Sequence, residues 1–215
     1  IYEDRKYEPV VLGQIPQQVL DATLAIEDDR FYEHKGFRVD SMFRALKALA
    51  FDNQLQGAST ITQQLVKNVL LTPERTLSRK FKELALSILV ENKYSKDQIL
   101  ELYLNNISYG GTAWGIEAAA QKFFGKHVWE LDLAETSMLA GLPSAPSVYS
   151  PLNKNARSAK QRQWEVLERI FVTNEVSHER AEETYKEELV YAPQKEYIRA
   201  PHFVEYVRAL LEERH

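Results

Sequence analysis

The sequence predicts a mainly α-helical domain, and three observations carry that expectation. From Pro16 onward the apolar residues recur at three- to four-residue spacing. Helix-start signatures punctuate the chain, with Ser95 three residues before Gln98 and Asp132 three before Glu135. Strand character is confined to the N-terminal arm and the neighbourhood of Ile107 to Tyr109.

Taken in order, residues 1–15 read as an extended arm before the first helix. "PQQVLDATLAIEDDRFYEH" sets Val19, Leu20, Leu24 and Phe31 on or near one stripe, with Gly36 as the expected helix stop. "DSMFRALKALAF" is dense in large apolar residues: Met42, Phe43, Leu46, Leu49 and Phe51. A further helix is expected to begin near Ser59. Thr72 and Pro73 read as the N-cap and first residue of the next, which runs through "RTLSRKFKELALSILVENK". Ser95 and Gln98 open "KDQILELYLNN". "SYGG" reads as a turn and "TAWGIEAAAQKFFG" as a helix ending at Gly125. Asp132 and Glu135 start another helix before "TSMLAGLP". "PSAPSVYSP" is too proline-rich for a helix and is expected as an ordered loop. Three helices follow, around 156–173, 178–189 and 201–213.

Composition sets the outer bounds. With 215 residues, 44% of them hydrophobic, the chain can bury a substantial core. A net charge of −4, from 27 basic and 31 acidic residues, opposes general attraction to nucleic acid. Absence of cysteine removes disulfides, thiol nucleophiles and cysteine metal sites. No apolar run reaches the ~18 residues of a membrane span. The chain begins at Ile1, which is expected of a domain cut from a longer protein whose anchor precedes it.

Four stretches can carry chemistry, each with a bland alternative. In "AIEDDRFYEHKGF", Glu27, Asp28 and Asp29 follow an apolar approach. They read as a solvated acidic face or as a general base whose pKa partial burial raises. His34 has no second histidine at zinc spacing and reads as structural. In "RTLSRKFKE", Arg75, Arg79 and Glu83 share a helix face. They form an exposed ion-pair ladder or a grip for phosphate oxygens, with Lys80 and Lys82 on other sides. In "GASTITQQLVKN", Thr60, Gln63 or Gln64, and Lys67 form a polar row opposite Ile61, Leu65 and Val69. Such a row suits sugar hydroxyls and phosphates. "DSMFRALKALAF" is either core or an apolar patch that dips into a membrane surface.

Together these stretches are diagnostic. "EDDRFYEHKG", "QGASTITQQLVKN", "RKFKE", "YSKDQILELYLN" and "SMLAGLPSAPSVYSP" occur in the order seen in glycosyltransferase family 51. The sequence resembles the peptidoglycan glycosyltransferase domain of class A penicillin-binding proteins, from about Pro16 to the last helices. "AAAQKFFGK" and "APHFVEYVR" resemble the penicillin-binding protein 1A branch.

The resemblance implies a lysozyme-like helical domain filling residues 1–215, with a large head and a small membrane-facing jaw over about 37–58. It implies polymerisation of lipid II on the outer face of the bacterial cytoplasmic membrane. The growing glycan strand on undecaprenyl pyrophosphate is the donor, lipid II is the acceptor, and the β-1,4 bond forms with inversion. Glu27 matches the family's base, Glu83 its second carboxylate, and Asp28 a support for the base. Ser59, Gln64, Lys67, Arg75 and Arg79 match its donor and pyrophosphate contacts. Met42, Phe43, Leu46, Leu49 and Phe51 fall in the jaw. Glu83 is left three routes: acting on the leaving group, through the arginines, or through a divalent cation such as magnesium or manganese. No cofactor follows from the motifs with certainty, a divalent cation stays open, and no metal ligand set is assigned. Expected partners are a membrane surface, moenomycin-type inhibitors and, in the full-length protein, a transmembrane anchor and a transpeptidase domain lying outside this chain. Tyr103 and Asn105 are expected to be structural. Two other classes stay open: a lytic enzyme of the same fold, which would need no pyrophosphate grip, and a non-catalytic glycan- or lipid-binding module.

Overall fold

A computed structural model describes residues 8–38, 59–72, 76–152, 156–173 and 175–193. Arg75, the apolar set Met42, Phe43, Leu46, Leu49 and Phe51, nearly all of the 37–58 segment and the helix expected at 201–213 lie outside the described residues.

Helix α1 (Gln17–Glu27) turns Val19, Ala22, Thr23 and Ala25 inward. It was expected to continue towards Gly36, but it ends at Glu27. Asp28 leaves helical geometry (φ −163°, ψ 78°), and its carboxylate accepts the Ile61 amide at 3.0 Å. A tertiary partner therefore ends the helix, and Phe31, though buried, sits in the following turn. Gly36 lies beyond, at φ +87°. A methyl group there would meet the Ser87 carbonyl and Glu91 at 3.0 Å, so close approach as well as a positive φ requires glycine.

Helix α2 (Ile61–Val69) starts where expected. Thr60 Oγ1 accepts the Gln63 amide at 3.2 Å, and Gln63 Oε1 accepts the Thr60 amide at 3.1 Å. This reciprocal cap satisfies donors that helix geometry leaves over. The buried stripe is Ile61, Leu65 and Val66, while Val69 is 52% exposed because the last turn stands clear of the core. Helix α3 (Leu77–Lys93) is capped by Thr76, not Thr72. The Thr76 hydroxyl accepts the Arg79 amide at 3.1 Å, which fixes the start downstream of the Thr-Pro signal. Helix α4 (Lys96–Asn106) has the expected Ser95–Gln98 box and fully buries Ile99, Leu100, Tyr103 and Leu104.

"SYGG" proves to be more than a turn. β1 (Ser108–Gly110) pairs antiparallel with β2 (Ala113–Trp114), so the next helix, α5 (Ile116–Phe124), starts later than its sequence suggests. It ends at Gly125 in left-handed geometry, as expected. Helix α6 (Leu133–Ala140) carries the Asp132–Glu135 box. The expected loop contains one helical turn, α7 (Pro146–Tyr149), which tolerates Pro146 because it stands at the first position. Helices α8 (Ala156–Val172) and α9 (His178–Lys186) follow. Among the described residues the arm shows no strand: Leu12–Gln14 forms a 3-10 turn. The arm is tied down by Asn105, whose amide exchanges two hydrogen bonds with Val10 (2.9 and 2.8 Å), and by Glu101, which accepts the Leu12 amide at 2.7 Å.

Helices α1, α6 and α8 pack against one another, and α2 packs on α3 and α4. One core cluster joins Val19 and Phe31 to Ile61, Leu65, Tyr103 and Leu104. A second seats Ala22 and Ala25 on Ala140, Val166 and Ile170. The C-terminal end of α1 thus stands where the two groups meet.

Candidate functional site

Glu27 is the last residue of α1 and points its partly buried carboxylate at α2. Gln64 Nε2 donates to Glu27 Oε2 at 2.7 Å. Oε1 is buried with no hydrogen-bond partner among the described residues. Burial pushes the Glu27 pKa up. The Gln64 bond and the charges of Arg162 and Lys67 oppose that rise, and Asp28 adds to it. A carboxylate raised in this way holds its proton to higher pH and is a stronger base once ionised.

Asp28 is structural support, and its side chain is 1% exposed. Oδ2 accepts the first amide of α2 and faces His34 Nε2 at 2.9 Å. The Gly36 amide donates to His34 Nδ1 at 3.1 Å, so Nε2 carries the proton given to Asp28. Arg38 pairs with Asp29 and lies 3.8 Å from Asp28 Oδ1. His34 is therefore the hydrogen-bonded structural residue its sequence context suggested.

Glu83 comes from α3 and is 2% exposed. Its charge is met by Lys80, which also reaches Ser59 Oγ at 3.3 Å. The sequence reading put Lys80 on another side of the helix; three-residue spacing brings it back to Glu83. Arg79 lies one turn before Glu83, and its Nε is buried without a hydrogen-bond partner among the described residues. That nitrogen is a donor with unused capacity one turn before Glu83 on α3. The expected polar row on α2 is split. Thr60 and Gln63 serve the cap, Gln64 serves Glu27, and Lys67 stays exposed within electrostatic reach of Glu27.

Two contacts near Glu27 were not read from the sequence. Tyr103 donates its hydroxyl to Gln64 Oε1 at 3.3 Å from a wholly buried position. Arg162 brings its charge towards Glu27 from α8, braced by the Gly141 carbonyl (3.2 Å), Glu165 (2.8 Å) and the face of Tyr149. Both come from elements distant in sequence: Tyr103 lies in the motif "YSKDQILELYLN", but nothing local there says that it meets Gln64, and Arg162 lies in no motif. A cavity of about 520 Å3 lies by β1 and α7, lined by Ser108, Lys122, Pro146 and Leu152 among others; neither carboxylate lines it.

The described helices thus hold one carboxylate, Glu27, with a raised pKa and a free buried oxygen, and a second, Glu83, paired with a lysine. The chain belongs to the transglycosylase family, whose family model matches residues 1–171. It is 41% identical over 211 residues to penicillin-binding protein 1A of Pseudomonas aeruginosa, covering 97% of this chain and 26% of that protein. It is 44% identical over 211 residues to penicillin-binding protein 1A of Escherichia coli K12, covering 96% and 25%. A crystal structure of penicillin-binding protein 1A from Haemophilus influenzae superposes with a TM-score of 0.59 at 28% identity, covering 99% of this chain and 22% of that one. The chain thus spans about a quarter of the length of these relatives. The enzyme class expected from the motifs, a peptidoglycan glycosyltransferase, and the likeness to the 1A branch both stand on these matches.

Proposed function

We propose that this domain extends glycan strands from lipid II by inverting transfer. Glu27 takes the proton from the acceptor's sugar 4-hydroxyl as that oxygen attacks the donor's anomeric carbon. The bond from that carbon to the diphosphate breaks, its electrons leave with undecaprenyl pyrophosphate, and a β-1,4 bond results. The observation that carries the reading is the asymmetry of Glu27: Gln64 holds one oxygen, and the other is buried with no hydrogen-bond partner among the described residues. A neutral hydroxyl needs such a base within reach.

The leaving diphosphate gains charge and needs positive donors fixed beforehand. Arg79 with its buried Nε, Lys67, Ser59 and Arg75 supply that need in this reading, with Gln64 contacting the sugar side. A lytic enzyme has no diphosphate to hold, so Arg79 favours transfer. Among the described residues no three His, Asp or Glu side chains converge as a metal site, and Glu83 is engaged by Lys80. Glu83 keeps Lys80 oriented towards Ser59 and the donor end.

The wider setting belongs to the same proposal. The head-and-jaw division, membrane contact through Met42, Phe43, Leu46, Leu49 and Phe51, and moenomycin-type inhibitors at the donor site follow from the family. So do an outer-face location in the bacterial envelope and a tethering anchor and transpeptidase domain in the full protein. No helix among the described residues is long and apolar enough to cross a membrane.

The test is direct. Labelled lipid II in detergent, resolved by product size, should give a ladder of glycans that Glu27→Gln abolishes while the variant stays folded. A ladder from the folded variant would remove Glu27 from the mechanism. Arg79→Ala should weaken moenomycin binding about tenfold or more, one lost charged hydrogen bond; unchanged affinity in a binding titration would take Arg79 out of the donor site.

A further inference from the structure

We infer that Tyr103 is a positioning residue for the transfer reaction: its hydroxyl fixes the orientation of the Gln64 amide, and so decides which end of that amide meets Glu27. The inference rests on the reading of Glu27 as the base.

A glutamine amide has a donor end and an acceptor end, and the two can exchange by a half-turn of the terminal group. Here Nε2 faces Glu27 at 2.7 Å and Oε1 faces the Tyr103 hydroxyl at 3.3 Å. Two orientations are open in principle. In the observed one, the amide N–H supports ionised Glu27 and the tyrosine proton has an acceptor. In the reversed one, Oε1 meets Glu27 and favours a protonated carboxyl. The tyrosine would then meet an N–H and need another acceptor for its own proton.

Tyr103 is 0% exposed, so bulk water does not reach its hydroxyl. A buried hydroxyl proton left without a partner is costly. The tyrosine therefore biases the amide towards the orientation that supports the ionised base. The hydrogen bond of Tyr103 runs to Gln64 and not to Glu27, so it acts through Gln64.

Among the described residues few groups face Glu27, which makes the effect separable. Asp28 comes from the end of α1, Gln64 and Lys67 from α2, Tyr103 from α4, Tyr109 from β1 and Arg162 from α8. Burial holds both tyrosines far above their usual range, so they stay neutral through the working pH range. Asp28, Lys67 and Arg162 are untouched by Tyr103→Phe, which keeps the ring and its packing and removes one oxygen.

The experiment titrates Glu27 in the intact domain by carbon-detected NMR of its labelled carboxyl, and separately records the pH–rate profile on lipid II. Tyr103→Phe should move the Glu27 titration upward by about half a unit to one unit, the worth of one biased hydrogen bond. The acidic limb of the rate profile should move with it, and the rate on the alkaline plateau should approach that of the wild type. Gln64→Met should raise the Glu27 titration as well, and adding Tyr103→Phe to Gln64→Met should move it no further. A uniform loss of rate with an unmoved titration would make Tyr103 merely structural and overturn the inference. So would a further shift in the double variant, since Tyr103 would then act on Glu27 without Gln64. If Tyr103→Phe folds poorly, a Gln64→Met titration that matches wild type overturns it alone, because the amide would then have no hold on the base. A shifted titration with no polymerisation by any form would count against the proposed reaction and leave the Tyr103–Gln64 coupling standing.

Discussion

At the scale of single residues, Glu27 sets activity against stability. Burial raises its pKa above the usual 4.5, so the folded state holds a proton that the unfolded chain releases. Between those two values stability falls as pH rises, because the folded state binds more protons. The full penalty persists above the folded pKa and vanishes below the unfolded one. Glu27→Gln should therefore be inactive yet more stable than wild type at neutral pH, with the gap closing below about pH 4.5. Chemical denaturation at pH 4 and 7.5 measures it, and a variant less stable at both would contradict the burial argument. The residues that meet around the end of α1 could be named beforehand because motif residues are local: Glu27, Asp28, His34 and Gln64 sit in two contiguous stretches. The contributions of Tyr103 and Arg162 were not legible, since they exist only once α4 and α8 have packed.

At the scale of elements, the caps show which features the chain writes locally. Thr60, Ser95 and Asp132 each accept an amide three residues on, and the helices after Ser95 and Asp132 start where the boxes read from the sequence predict. Ser95→Ala should cost about 1 kcal/mol by urea denaturation without moving the site, because it removes only a cap bond. Asp28→Asn should cost more, because Oδ2 serves both the α2 amide and His34. A loss of about 2 kcal/mol, with reduced polymerisation, is expected from a buried charge-assisted bond. Element boundaries were misread wherever a distant partner wins. The end of α1 answers to Ile61, and β1 answers to β2. No propensity within "AIEDDRFYEH" or "SYGG" encodes those meetings.

At the scale of the molecule, the fold class and family were readable from periodicity and motif order, but the layering was not. The core that runs from Val19 through Tyr103 and Leu104 couples the two groups of helices. Leu104→Ala, at 0% exposure, should cost about 2–5 kcal/mol and lower the melting temperature of the whole domain in one transition. Two separate transitions would mean the groups fold independently. One tie between them reaches further than its single hydrogen bond suggests. The Thr60 hydroxyl donates to the Gly36 carbonyl at 2.8 Å, and Asp28 holds the next amide, so the backbone at Gly36 and at Thr60–Ile61 is clasped to the end of α1. Like the keystone of an arch, that clasp seats Glu27 and Gln64 at once, and loosening it would unseat both.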